Sequence, residues 1–216
     1  QQTFHLAQVF RSAELLGYAK PGQLEHVKFG MMLDPSGKKF ATREGRLIPM
    51  EDVLNEAVER SLKVVEQLNP NLSVKEKHEI ARVVGIGAVK FFDLAQNRLS
   101  DIVFDWDKML NLKGASAPYL QYTYARLKSI LRKASGVKRQ ASSVKYQASS
   151  TKELEILGRL IHFPEIVEDT ASRYEPNHIA EYLLKLAEKV NAFYETAPVL
   201  KAEEELREAR LVLIEV

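Results

Sequence analysis

Between Lys108 and Lys152 the chain carries ten basic residues and no carboxylate, with Tyr119, Tyr122, Tyr124 and Tyr146 interleaved among them. Cations can neutralise backbone phosphates while aromatic rings offer platforms for unpaired bases, so these residue types together suit a nucleic-acid contact. Composition alone leaves a second reading, a solvated basic helix followed by a loose loop. Spacing sharpens the first: Tyr119, Tyr122, Arg126, Ser129 and Lys133 recur at steps of three and four, and so share one face of a helix that opens near Pro118. Single-stranded RNA is held by such combinations of rings and cations. Gln121 could add hydrogen bonds to a base edge. Each tyrosine would serve equally well as a packing ring with its hydroxyl at the rim of a bundle. Elsewhere Lys38 and Lys39 sit in a polar, basic stretch running to Gly45, where a solvated turn is the plain reading, and His5 and His26 read as polar residues at element ends.

Several chemistries are absent. The chain has no cysteine, which removes disulfides, thiolate zinc sites and cysteine nucleophiles. The five histidines include no i, i+4 pair with a carboxylate on the same helix, so no protein-bound metal is expected. The fragment GIGAVK lies inside a helical pattern instead of between a strand and a helix, and is no phosphate loop. No apolar run approaches the roughly 18 residues of a membrane span, and the first residues lack a secretory signal, so a cytoplasmic protein away from membranes is expected. Net charge is only +2, but it is unevenly spread. Residues 1–107 hold 14 Lys plus Arg against 15 Asp plus Glu, and residues 153–216 hold 7 against 14, so the basic region between them stands out.

Periodicity predicts a mainly α chain of 216 residues, enough for one to two compact units. A helix over 4–16 stops at Gly17 and Pro21-Gly22. An extended apolar run from His26 to Leu33 ends in the turn signal Asp34-Pro35-Ser36-Gly37, and a mobile loop follows over 38–45. Helices are expected over 50–68 and 73–97, with Gly85 and Gly87 allowing close packing. A strand or extended connector should occupy 101–107. From Pro118 to about Ala134 the next helix would bury a stripe through Leu120, Tyr124, Leu127, Leu131 and Ala134. Residues 135–150, rich in Ser, Lys and Gln, read as a flexible loop. Three helices should follow, near 151–163, 177–195 and 201–216, the second with a face through Ile179, Leu183, Leu186, Val190 and Phe193. The last is still apolar at Val216, which suggests that the natural protein continues.

Three blocks carry a family resemblance. HLAQVFRSAELLG with HVKFGMMLDPSGKKFATREG resembles the end of a class I aminoacyl-tRNA synthetase nucleotide-binding fold, with Lys39-Phe40-Ala41-Thr42-Arg43 in the place of the KMSKS loop. NRLSDIVFDWDKML with GASAPYLQYTYARLKSILRK is similar to the passage from catalytic core to anticodon-binding domain in arginyl-tRNA synthetases. FPEIVEDTASRYEPNHIAEYLLKLAEKVNAFYETAPVL with REARLVLI resembles the helical anticodon-binding domain named after an Asp-Ala-Leu-Arg signature, where this chain has Arg207-Glu208-Ala209-Arg210. The fold so implied is the end of a Rossmann-like core over 1–112, then an incomplete all-helical bundle over 113–216.

What the resemblance implies is an arginine-tRNA ligase: ATP activates the arginine carboxylate as an adenylate, and the arginyl group passes to the terminal ribose of its tRNA. Lys39, with Lys38 assisting, would stabilise the departing pyrophosphate. Ala41 and Thr42 stand where the signature has its serine and second lysine, so further positive charge is expected from elsewhere. By the same resemblance Gln2 faces arginine, His5 lies near ATP, and His26 and Phe29 border the adenine. Mg2+ would arrive with ATP. Tyr119, Gln121, Tyr122, Arg126 and Lys133, with Arg173, Tyr174 and Tyr194 as weaker candidates, would meet the tRNA. The family's other signature, H-x-G-H, is missing from this sequence, so the chain is expected to act as a carboxy-terminal piece, monomeric, that binds tRNA without aminoacylating it. Two other readings fit the same residues: a non-catalytic tRNA-binding module descended from a synthetase, and a purely structural helical interaction domain.

Overall fold

The computed structural model describes residues 2–38, 49–134 and 148–216. Helix α1 spans Gln2–Leu15 and ends before Gly17, whose φ of 76° only glycine adopts readily. None of its residues is buried, and Phe4, Leu15 and Leu16 are exposed. Of the run read as a strand over 26–33, only Met32–Leu33 (β1) is paired. The reason is a shortage of partners: a strand extends as far as the ladder it joins, and among the described residues only Ile102–Val103 (β2) lies alongside, parallel, with Met32 opposite Ile102. Backbone bonds run on at both ends, from Gly30 N–H to the Arg98 carbonyl (2.6 Å) and from Phe104 N–H to the Leu33 carbonyl (3.0 Å).

Parallel strands need a crossover connection, and here it contains a helical hairpin, α2 (Met50–Leu68) and α3 (Val74–Leu94). Glu51 and Asp52 complement the positive end of α2. A capping box starts α3: the Ser73 hydroxyl accepts the Glu76 amide while the Glu76 carboxylate accepts the Ser73 amide. The buried side chains of the two helices are mostly small, among them Ala57, Ser61, Ala81 and Ala88, and a Cβ on Gly85 would lie 2.6 Å from the Ala57 carbonyl oxygen. The hairpin is therefore packed backbone to backbone at that point. Beyond β2, Asp105 caps the short helix α4 (Trp106–Met109) by accepting the amides of Asp107 and Lys108, where the sequence suggested an extended connector. Ala88, Phe104 and Met109 form a small core with Trp106 against it.

The remainder is a bundle of α5 (Ala117–Ala134), α6 (Thr151–Ile161), α7 (Phe163–Arg173), α8 (Asn177–Thr196) and α9 (Glu204–Glu215). Its core joins Ile130, Ala134, Ile156, Phe193, Val199, Leu211 and Leu213. Among the described residues four helices follow α5 where three were expected. His162 serves as both the end of α6 and the start of α7, and Pro164 is tolerated because it falls in the first turn of the new helix. The buried line of α5 also differs from expectation. Tyr124 is 63% exposed, with the Lys128 ammonium over its ring, and Thr123 is buried in its place. Since α5 packs on α3 along one side and on α8 and α9 along the other, its buried positions are set by two neighbours rather than by one apolar stripe. Leu183, placed on the inner face of α8 by periodicity, is likewise exposed, while Ala180, Tyr182, Ala187 and Phe193 are buried. The segments read as loops, 38–45 and 135–150, lie largely outside the described residues.

One buried ion pair crosses the bundle. Glu153 on α6 is fully buried and meets Arg210 on α9, Nε to Oε1 at 2.8 Å. Burial pushes the Glu153 carboxyl upward, but the Ser149 amide and hydroxyl and the Arg210 guanidinium outweigh it and hold the carboxyl below its ordinary range. Arg210 also donates to the Pro198 carbonyl (2.9 Å).

Candidate nucleic-acid interface

The stretch of α5 from Tyr122 to Lys133, the end of α8 and the segment 197–201 line an open cleft of about 550 Å³. Tyr122, Arg126, Ser129 and Lys133 line it from α5, Tyr194 from α8, and Lys201 from the segment beyond. Arg126 lies between two rings, its Cζ 4.6 Å from the Tyr122 centroid and 4.3 Å from the Tyr194 centroid. Both rings hold the guanidinium by cation–π attraction. Its edge is tied as well: Nη2 donates to the Tyr122 hydroxyl (2.7 Å) and Nη1 to Asn191 Oδ1 (3.0 Å). Neither Lys133 nor Lys201 has an ion-pair partner among the described residues, so both ammonium groups are available to an anion.

Of the residues singled out for RNA, the fold brings Tyr119, Tyr122, Arg126, Lys133 and Tyr194 together. Tyr119 is half-buried beside the cleft, its hydroxyl accepting from Asn191 (3.1 Å). Tyr194 is exposed although its neighbour Phe193 is buried. Gln121 points the other way: its Nε2 donates to the Val83 carbonyl of α3 (3.2 Å), filling the space that Gly87 leaves open. Arg173 and Tyr174 precede α8, whereas Tyr194 lies on its last turns, so the helix of 20 residues separates them by about 30 Å. There Arg173 pairs with Asp169, and the carbonyls of Arg173 and Tyr174 accept from Arg98. Asn191 and Lys201 were not singled out in the sequence. The first is one turn before Tyr194 and the second sits among acidic residues, and neither pattern signals a site.

The nucleotide-side residues are more scattered. Gln2 and His5 are exposed on α1, Phe29 is 76% exposed, and His26 is half-buried with its Nδ1 unpartnered among the described residues. No hydrogen bond or ion pair links Gln2 or His5 to His26, Phe29 or Lys38 among the described residues. Lys38 closes a turn in which Asp34 accepts the amides of Ser36 and Lys38. The Ser36 hydroxyl first, and the Lys38 amide next, hold the Asp34 carboxyl below its usual range. The Lys38 side chain is exposed; Lys39, Ala41, Thr42 and Arg43 lie outside the described residues.

Comparison with known proteins accounts for nearly the whole chain. The family described as tRNA synthetases class I (R), catalytic domain, matches residues 1–106, and the DALR anticodon binding domain matches residues 120–216. The arginine–tRNA ligase of Chromobacterium violaceum is 41% identical over 214 residues, which is 99% of this chain. The chain belongs to the arginyl-tRNA synthetase family. It spans about 37% of the length of the curated relatives it matches, among them the arginine–tRNA ligase of Fusobacterium nucleatum, 40% identical over 215 residues. Among solved structures, Thermus thermophilus arginyl-tRNA synthetase superposes with a TM-score of 0.78 at 33% identity, covering 89% of this chain and 32% of that one. Plasmodium falciparum arginyl-tRNA synthetase gives 0.79 at 25% identity, over 99% and 36%. The residues lining the cleft all lie in the part matched by the anticodon-binding family, and Gln2, His5, His26, Phe29 and Lys38 in the part matched by the catalytic family. No helix among the described residues is long and apolar enough to cross a membrane.

Proposed function

We propose that this chain provides the tRNA-binding bundle and the KMSKS-like loop of an arginine-tRNA ligase. The observation that carries the reading is the Tyr122–Arg126–Tyr194 cluster flanked by Lys133 and Lys201, inside the region that matches an anticodon-binding family. In the reaction a carboxylate oxygen of arginine attacks the α-phosphorus of ATP, and the bond to the bridging oxygen breaks to release pyrophosphate with its Mg2+. A hydroxyl of the terminal ribose then attacks the arginyl carbonyl and AMP leaves. Lys39, with Lys38 beside it, meets the charge gathering on the pyrophosphate. Gln2 orients arginine, while His5, His26 and Phe29 border ATP. Residues 1–112 form the catalytic part and 113–216 the anticodon-binding part. The chain by itself binds tRNA without aminoacylating it, so purified protein supplied with arginine, ATP and tRNA should form no arginyl-tRNA; robust product would overturn that division of labour.

The RNA face has its own test. Bases stack on rings with little dependence on salt, whereas cations on phosphates release counterions, so the two kinds of side chain should fail differently. Tyr122→Ala is expected to weaken binding of a transcribed arginine tRNA by about 1 to 3 kcal/mol at an unchanged salt slope. Lys133→Ala and Arg126→Ala should weaken binding and make the slope shallower by about one phosphate contact each. Binding is measured at several salt concentrations, with helix content followed by circular dichroism. Variants that stay folded and bind like the parent would remove this cleft as the RNA site.

A further inference from the structure

Asn191 on α8 does not line the cleft, yet it hydrogen-bonds three polar side chains of α5, one of which, Arg126, does line it. Its Oδ1 accepts from Arg126 Nη1 (3.0 Å), and its Nδ2 donates to the Tyr119 hydroxyl (3.1 Å) and to Thr123 Oγ1 (2.8 Å). That orientation is dictated by chemistry: a guanidinium only donates, so the amide oxygen must face Arg126 and the amide nitrogen the two hydroxyls. The buried Thr123 hydroxyl in turn donates to the Tyr119 carbonyl (3.0 Å), which ties the cluster to the α5 backbone. Arg126 is thus restrained in two independent ways. Tyr122 and Tyr194 hold the guanidinium carbon near their rings, and Asn191 with the Tyr122 hydroxyl fixes the directions of Nη1 and Nη2. The remaining N–H groups have no partner among the described residues.

We propose that Asn191 is a positioning residue for RNA binding that acts through Arg126, holding the guanidinium as a pre-formed fork whose unpaired edge meets oxygen acceptors of the RNA. The proposal rests on the RNA-binding reading of the cleft. A long side chain that is already ordered loses less freedom on binding, and a fork held in place can engage two acceptors at once. A neutral amide is suited to this task because it leaves the full positive charge of Arg126 for the ligand. A carboxylate in the same place would keep the contact to Arg126 but cancel that charge, and it would lose the donor that serves Thr123.

The test measures affinity for a transcribed arginine tRNA and for its isolated anticodon stem-loop at several salt concentrations. The proteins are the parent, Asn191→Ala, Asn191→Asp, Arg126→Ala and the double variant Asn191→Ala with Arg126→Ala, each checked by thermal melting. Asn191→Ala should cost about tenfold in the parent background, as expected for losing one hydrogen bond to a charged group, and less than about twofold once Arg126 is gone. Asn191→Asp, nearly identical in shape, should bind more weakly and with a salt slope shallower by about one contact. Equal losses from Asn191→Ala in both backgrounds would reveal a general structural role and overturn the positioning role, while leaving the RNA reading intact. Should Asn191→Ala fold poorly, the aspartate variant decides, and unchanged affinity and slope there overturn the proposal. If Arg126→Ala binds like the parent, the RNA reading of the cleft fails and the proposal with it.

Discussion

Glu153→Gln and Arg210→Met are each expected to destabilise the bundle by about 3 to 5 kcal/mol, because removing one partner of a buried pair strands the other in a medium that cannot solvate it. For a chain of this size that corresponds to a fall in Tm on the order of 10 °C. Little of the pair reaches water: Glu153 is fully buried and Arg210 nearly so, and the carboxylate accepts from Arg210 and from the Ser149 amide and hydroxyl. Replacing both partners together by Leu and Met should cost less than the two single losses added, since no unpaired charge then remains. The pH dependence has a definite sign. The folded-state carboxyl lies below its ordinary value, so its stabilisation is fully present above the unfolded pKa of about 4.3 and is lost as pH falls through the lower folded value. The gap in Tm between the parent and Glu153→Gln should therefore be widest near neutrality and narrow in acid. A gap that stayed constant down to pH 3 would show that the carboxylate charge contributes little. Arg210 also holds the Pro198 carbonyl, and Pro198 lines the cleft, so RNA affinity should decline along with stability in these variants.

The largest effect on rate is expected at Lys39. In a protein of the relatives' full length, Lys39→Ala should lower the rate of adenylate formation by about 100- to 1000-fold, the typical cost of removing one preorganised contact to developing charge, about 2.7 to 4 kcal/mol. The KM for arginine should change little. In the proposed role the ammonium would meet negative charge that accumulates on the bridging oxygen only as the bond to the α-phosphorus breaks, an interaction of the transition state rather than of the bound substrate. Lys38→Ala should cost less: the backbone of Lys38 closes the Asp34 turn, its amide donating to the Asp34 carboxylate and its carbonyl accepting from the Asp34 amide, and alanine keeps both bonds. Pyrophosphate exchange and single-turnover rates measure these effects directly. An unchanged turnover in Lys39→Ala, or a loss confined to the KM for arginine, would assign the loop another task.

Much of this protein could be read from local pattern. Helices α2, α5 and α8 appear within a residue or two of their expected bounds, because apolar periodicity sustained over many residues and proline or glycine at the ends are local signals. The face carrying Tyr122, Arg126 and Lys133 was visible for the same reason: residues three and four apart on one helix are neighbours in any fold that keeps the helix. Charge distribution singled out the region without any structural input.

Tertiary packing decided the rest. Periodicity put Tyr124 inside and Thr123 nowhere in particular, but α5 is gripped by α3 on one side and by α8 and α9 on the other, and two partners select a different buried line from one. Tyr194 could be read equally as a core residue; the turn of α8 that buries Phe193 is what exposes it beside Arg126. Glu153 and Arg210 are 57 residues apart and look like ordinary surface charges in the sequence, since nothing local marks a carboxylate that will be buried. Asn191 is the same case, an amide whose importance comes from three partners on another helix. Sequence periodicity is a property of one element and its nearest turns. Burial, pairing and the closing of a cleft depend on which elements meet, and in this chain the meetings that shape the cleft join residues more than sixty positions apart.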